Sequence, residues 1–151
     1  MWTAILFVHL LCVTIWIGGQ VTLFVATPPI RAAGEAGAAL LGPIGRRFGA
    51  VAGPALLLIL VTGLLQADHL GVRAAHPFAN GFSRIVSEKL VLWLLIAALT
   101  GAHAMLGARI AAGGPEVERW RERARVVSVG NLLLGLGALY LGSRLGTGDY
   151  S

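Results

Sequence analysis

Residues 2–26 hold no charged side chain, and residues 48–67 hold none either. Two further apolar stretches, 90–112 and 126–145, carry one arginine each, Arg109 and Arg144, near their C-terminal ends. Each stretch reaches the roughly 20 residues that cross a bilayer core. Inside lipid every backbone N–H and C=O must be satisfied by the chain itself, which leaves helices as the solution for isolated runs of this length. The expectation is therefore an all-α integral membrane four-helix bundle, with residues 1–151 forming a single four-span transmembrane domain. Composition agrees: 56 % of residues are apolar and 13 % charged, against about 25 % charged in soluble domains. The first run is too long for a signal peptide and lacks a basic flank, so it is expected to stay as a span. The one cysteine, Cys12, excludes an internal disulfide.

The net charge of +5 bears first on topology. Arg31, Arg46, Arg47, Arg109, Arg119, Arg121, Arg123 and Arg125 follow the first and third spans, eight basic residues; Arg73, Arg84, Lys89 and Arg144 lie toward the other side, four. The positive-inside rule places the larger set in the cytoplasm and both termini on the non-cytoplasmic side. The implied location is the cell inner (plasma) membrane, crossed several times. Nucleic acid is not an expected partner, because no basic patch is interleaved with exposed aromatics.

Punctuation marks the connections. Thr27-Pro28-Pro29 predicts the end of the first helix, since a residue before proline is pushed out of the helical region. The Gly-rich stretch from Arg31 to Arg47 is expected as a loop, with at most a short interfacial helix. Gly45, Gly49 and Gly53 form a small-residue row that permits close helix contact. Asn80-Gly81 reads as a turn. Gly113-Gly114-Pro115 stops the third helix and starts a charged extension of the fourth, residues 116–125, with Trp120 near the inner interface. The tail from Gly146 is polar and expected to be loose.

Four histidines carry the functional question. Ionisable residues inside a bilayer are costly and mark function by default. His9 lies in the first span, with Cys12 and Trp16 on the same helical face, and His103 lies deep in the third. His69 and His76 belong to the loop between the second and third spans. A structural histidine bonded to a neighbouring helix is the plain alternative for His9 and His103, and a solvated side chain for the other two. On a rise of 1.5 Å per residue, His9 and His103 differ in depth by roughly 10–13 Å, which disfavours one haem held between them. His9 matches an outer group of Gln66, His69, His76, Trp93 and Tyr140; His103 matches Asn131, as a hydrogen bond or beside a second haem. Glycines such as Gly18, Gly19, Gly101, Gly107, Gly130, Gly135 and Gly137 either admit a flat haem or pack helices. Copper(I) prefers soft sulfur ligands, and the chain offers Cys12, Met105 and Met1, leaving histidine-only binding through His9, His69 and His76. No nucleophile–base pair, phosphate loop or His-Glu-x-x-His motif is present.

Two resemblances bear on these residues. The segment His9-Leu-Leu-Cys-Val-Thr-Ile-Trp16-Ile-Gly-Gly19, with Arg47 to Gly63 and Gly81 to Lys89, resembles the copper-resistance D (CopD) family of membrane proteins. The His-x6-Trp-x-x-Gly pattern of the first span and the Lys89…His103 pair of the third are similar to HemJ-type protoporphyrinogen oxidases, which bind b-type haem. The chain departs from the second pattern where that family has Leu-Pro-Arg after the glycines, and the Lys-to-His spacing is about a turn longer. The resemblance implies b-type haem at His9, with Trp16, Lys89 and His103; the residues themselves suggest haem b, one or two, with His9 as first ligand and His103, His69 and His76 next, supported by Gln66 and Asn131.

The leading expectation is thus a b-type haem protein serving electron transfer or a redox reaction in the membrane, with a redox protein or quinone as partner. It could extend to a haem-dependent oxidoreductase. Copper handling of the CopD type is the alternative. A structural accessory subunit of a respiratory complex, or a homo-oligomer packed through its glycine faces, is the third.

Overall fold

The computed structural model describes residues 1–72 and 76–150; Arg73, counted above in the charge balance, lies outside them. The described chain is all-helical: α1 (Trp2–Ala32), α2 (Gly34–His69), α3 (Gly81–Ala112) and α4 (Val117–Thr147). Each of these four helices is long and apolar enough to cross a membrane. At 1.5 Å per residue α1 spans about 46 Å and α2 about 54 Å, well beyond a 30 Å hydrocarbon core. The chain divides into two compact units, residues 1–62 and 63–151.

In the first unit, α1 and α2 form an antiparallel hairpin. Its corner differs from the expected loop. α1 continues through Pro28 and Pro29 to Ala32, and α2 starts at Gly34, so the Gly-rich connection is helical almost throughout. The prolines fit because their fixed φ is helical and they sit in the last turns, where only two backbone bonds are lost. Helix-breaking residues are better tolerated in membrane helices than in water. The turn itself rests on two glycines. Gly34 has φ +82°, a conformation that costs a side chain dearly. Gly37 is buried against the Ile30 carbonyl, and a Cβ there would overlap that oxygen. Further along, Gly19 faces the Phe48 ring, which occupies the space a Cβ would need. This glycine accommodates an aromatic side chain of α2. By contrast Gly45, Gly49 and Gly53 face open space, so the expected close contact along that row is not made within the chain.

In the second unit, α3 and α4 pack antiparallel. Asn80 caps α3, its Oδ1 accepting from the Ser83 N–H at 2.8 Å. Such a cap satisfies one of the four orphan donors at a helix start. α3 thereby begins nine residues before the apolar run does. Gly113 (φ +77°) and Gly114 (φ +109°) end it, as the sequence predicts, and the charged extension is the first part of α4. Gly130 and Gly137 lie in ordinary contact with Leu99 and Leu92 of α3, so they pack helices. Gly142 leaves room for the Lys89 amine, whose Nζ would stand 3.2 Å from a Cβ there. Gly101 and Gly107 are open.

The tail is pinned, contrary to expectation. Gly148 takes φ +73°, Asp149 N–H donates to the Arg144 carbonyl, and the Asp149 carboxylate lies 3.7 Å from the Arg144 guanidinium. Tyr150 meets the Phe82 ring edge-on at 5.6 Å, and Gly81 lies against the Tyr150 backbone. An aromatic pair of this geometry is worth about 0.5–1.5 kcal/mol beyond the area it buries, and it adds to the Arg144–Asp149 contacts at this end of α4.

Candidate functional site

A helix hydroxyl in lipid has one proton to place, and Thr62 places it on its own helix. Its Oγ1–H donates to the Leu58 carbonyl at 2.5 Å. The carbonyl can only accept, so the hydroxyl proton is committed there. The Thr62 oxygen keeps its acceptor capacity. His9 Nδ1 lies 2.8 Å from that oxygen. The one arrangement that satisfies both contacts has His9 Nδ1–H donating to Thr62. In the neutral form of the ring the lone pair then lies on Nε2. A hydrogen bond at one ring nitrogen fixes which nitrogen is basic, and this is how ligating histidines are oriented and made better donors. Thr62 is 6 % exposed, so the bond is sheltered, while the His9 ring is half-buried.

The second hairpin repeats the device. Ser128 Oγ–H donates to the Ala124 carbonyl at 2.9 Å, and His103 Nδ1 lies 3.2 Å from the same oxygen. By the same reasoning Nδ1–H donates and Nε2 holds the lone pair. One turn away, Asn131 Nδ2–H donates to Thr100 Oγ1 at 3.0 Å. The expected His103–Asn131 pair is therefore displaced: both residues face the neighbouring helix, each partnered by a hydroxyl three residues from the other. Asn131 is 8 % exposed, and its Oδ1 has no partner among the described residues. The His103 side chain is nonetheless exposed.

The remaining candidates fall as follows. Cys12 and Trp16 are buried on the His9 side of α1, at 5 % and 4 % exposure. Gln20, eleven residues beyond His9 and on the same face at 100° per residue, has a buried Nε2 with no partner among the described residues. Gln66 is half-buried in α2; His69 closes α2, and His76 lies in the turn before α3, both exposed. Trp93 and Lys89 are half-buried in α3, and Tyr140 of α4 is exposed. Among the described residues no three His, Cys, Asp or Glu side chains converge as a metal cage would require. Thr62, Ser128 and Thr100 were the missing parts of the sequence reading. Their signal was a hydroxyl within reach of an intramembrane polar residue once the antiparallel register is known.

Haem makes its own demands on donor chemistry. It asks for an imidazole whose distal nitrogen is anchored, in apolar surroundings, with little side-chain bulk beside the plate. His9 meets the first condition through Thr62 and the second through its place in an uncharged span. Gly18, nine residues on, faces open space, whereas Gly19 is occupied by Phe48. No protein-family model matches this chain, and no curated protein and no solved structure matches it.

Proposed function

We propose that this chain is a multi-pass protein of the cell inner membrane that binds b-type haem through His9 and serves electron transfer or a membrane redox reaction. The observation that carries the reading is the His9–Thr62–Leu58 chain of hydrogen bonds, which leaves Nε2 as the basic nitrogen of a neutral ring inside an apolar span. Thr62 orients the ring, Trp16 and Cys12 supply packed apolar surface on the same face, and the uncharged span keeps water away. His103, held by Ser128 in the same way, is the next ligand. His103 would serve a second haem, since its depth differs from that of His9. A bound haem supplies one-electron chemistry, with a potential tuned by axial ligand and burial. His69 and His76, exposed near the end of α2 and before α3, rank below both. Charge balance favours both termini on the non-cytoplasmic side, and electron transfer would call for a redox protein or quinone as partner.

Copper handling has less behind it, because no cluster of three ligands supports it among the described residues. A second reading, an accessory subunit of a larger membrane complex, is favoured by the open row of Gly45, Gly49 and Gly53. The test is an absorption spectrum with a pyridine-haemochrome assay on the protein purified from membranes. The expected result is a Soret band that His9→Ala abolishes. A colourless protein with stoichiometric copper would overturn the haem reading in favour of the metal. A colourless protein that co-purifies with partner subunits would favour the accessory role.

A further inference from the structure

The end of the α3–α4 hairpin gathers arginines around one indole. Arg109, in the last turn of α3, places its guanidinium carbon 4.6 Å from the Trp120 ring centroid, and Arg123 of α4 places its own at 5.0 Å. Both distances lie inside the roughly 6 Å reach of a cation–π contact. The two cations therefore stand within about 10 Å of each other, about one Debye length at physiological salt. Two of the neighbouring arginines, Arg119 and Arg121, are held instead by glutamates, while Arg125, among the described residues, is not. Arg119 pairs with Glu116 at 3.5 Å and Arg121 with Glu118 at 3.1 Å. Among the described residues no carboxylate pairs with Arg109 or Arg123. Trp120 thus holds two like charges within about 10 Å of each other and leaves their donor edges without an anion.

Such a pair matches a phosphate. Guanidinium presents a planar fork of N–H groups that binds phosphate oxygens in a bidentate way, and stacking on an aromatic pre-orients it. The location selects the kind of phosphate. α3's apolar run stops at Ala112 and α4's begins at Val126. Just inside that boundary Met105 and Val126 are 64 % and 67 % exposed, surface suited to acyl chains. Tryptophan itself favours the bilayer interface. We propose that Arg109, Trp120 and Arg123 form a binding site for the phosphate headgroup of an anionic membrane lipid. Lipids with a choline headgroup fit poorly, since their cation meets the two arginines. The site does not depend on haem.

The test uses the full chain in mild detergent, offered equal amounts of phosphatidylglycerol and phosphatidylcholine of the same acyl chains, with bound lipid counted by native mass spectrometry. Each arginine near an anionic headgroup is worth roughly fivefold in affinity, so the pair should favour phosphatidylglycerol by roughly 20–30-fold. Arg109→Gln with Arg123→Gln should bring the ratio close to one. Arg119→Gln with Arg121→Gln, which removes the same charge from residues already paired with glutamates, should leave most of the preference. Equal retention of both lipids by the unmodified chain would overturn the proposal without any variant. So would an Arg119/Arg121 double variant that loses as much preference as the Arg109/Arg123 one, because bulk charge would then be the cause. If inorganic phosphate at millimolar concentration displaces the lipid, the site belongs to a soluble anion and the lipid assignment fails. Should the double variant not purify, Arg123→Gln alone is expected to lower the ratio about fivefold, and an unchanged ratio counts against the site.

Discussion

Replacing Thr62 by valine removes one oxygen and keeps the side chain's branched shape. The change deletes the acceptor for His9 Nδ1–H and the donor to the Leu58 carbonyl, which stand 2.8 Å and 2.5 Å away in the intact hairpin. Two consequences follow, of different size. For folding, the Leu58 carbonyl keeps its backbone helix bond, so only the interhelical contact is lost. Such bonds in membrane proteins are worth about 0.6 kcal/mol on average and about 1.7 at most. A double-mutant cycle with His9→Leu, read by reversible unfolding in detergent, should return a coupling in that range. For ligation, loss of an outer-sphere partner typically costs 10–100-fold in affinity. Haem titration into the Thr62→Val protein should therefore show binding weaker by about that factor, with Thr62→Ser close to the parent. A coupling energy indistinguishable from zero would refute the hydrogen bond. A coupling of the expected size with unchanged haem affinity would keep the bond but refute its role in orienting a ligand.

Two other substitutions test the hairpins. Gly37→Ala forces a methyl group toward the Ile30 carbonyl and should destabilise the first unit by about 1–3 kcal/mol. Gly45→Ala, in open space on the same helix, should instead be neutral or stabilising by up to about 1 kcal/mol; equal losses in detergent unfolding would show that the Gly37 corner is not what limits stability. Asn131→Leu removes the 3.0 Å bond to Thr100 together with an amide oxygen that has no partner among the described residues. The loss should stay below about 1 kcal/mol, and a measured loss above about 2 kcal/mol would mean that Oδ1 is paired in the membrane.

The four spans were legible because length and the absence of charge are properties of the sequence itself. Gly113-Gly114 also declared itself, since it supplies positive φ; Asn80-Gly81 read as a turn, whereas Asn80 is the N-cap and Gly81 the first residue of α3. The corner between α1 and α2 did not. Pro28, Pro29, Gly34, Gly37 and Gly42 all count against helix on scales measured in water, yet only Gly34 lies outside ordinary helical geometry. The candidate site was half legible. His9 and His103 stood out as intramembrane titratable groups. Their partners did not, because Thr62 and Ser128 become visible only when the helix register is fixed. A three-residue error, the distance between Ser128 and Asn131, turns one partner into another. The tail was misread for a related reason: polar composition suggested looseness, while Tyr150 and Asp149 had specific places to dock.

The His9–Thr62 bond closes within the first hairpin, so its formation has an order in time. At synthesis rates of about 5–20 residues per second, residue 62 follows residue 9 within roughly 3–11 seconds. Eighteen residues lie between Thr62 and the first residue of α3, Gly81. Both partners lie within the first 62 residues, so the bond needs nothing from α3 or α4.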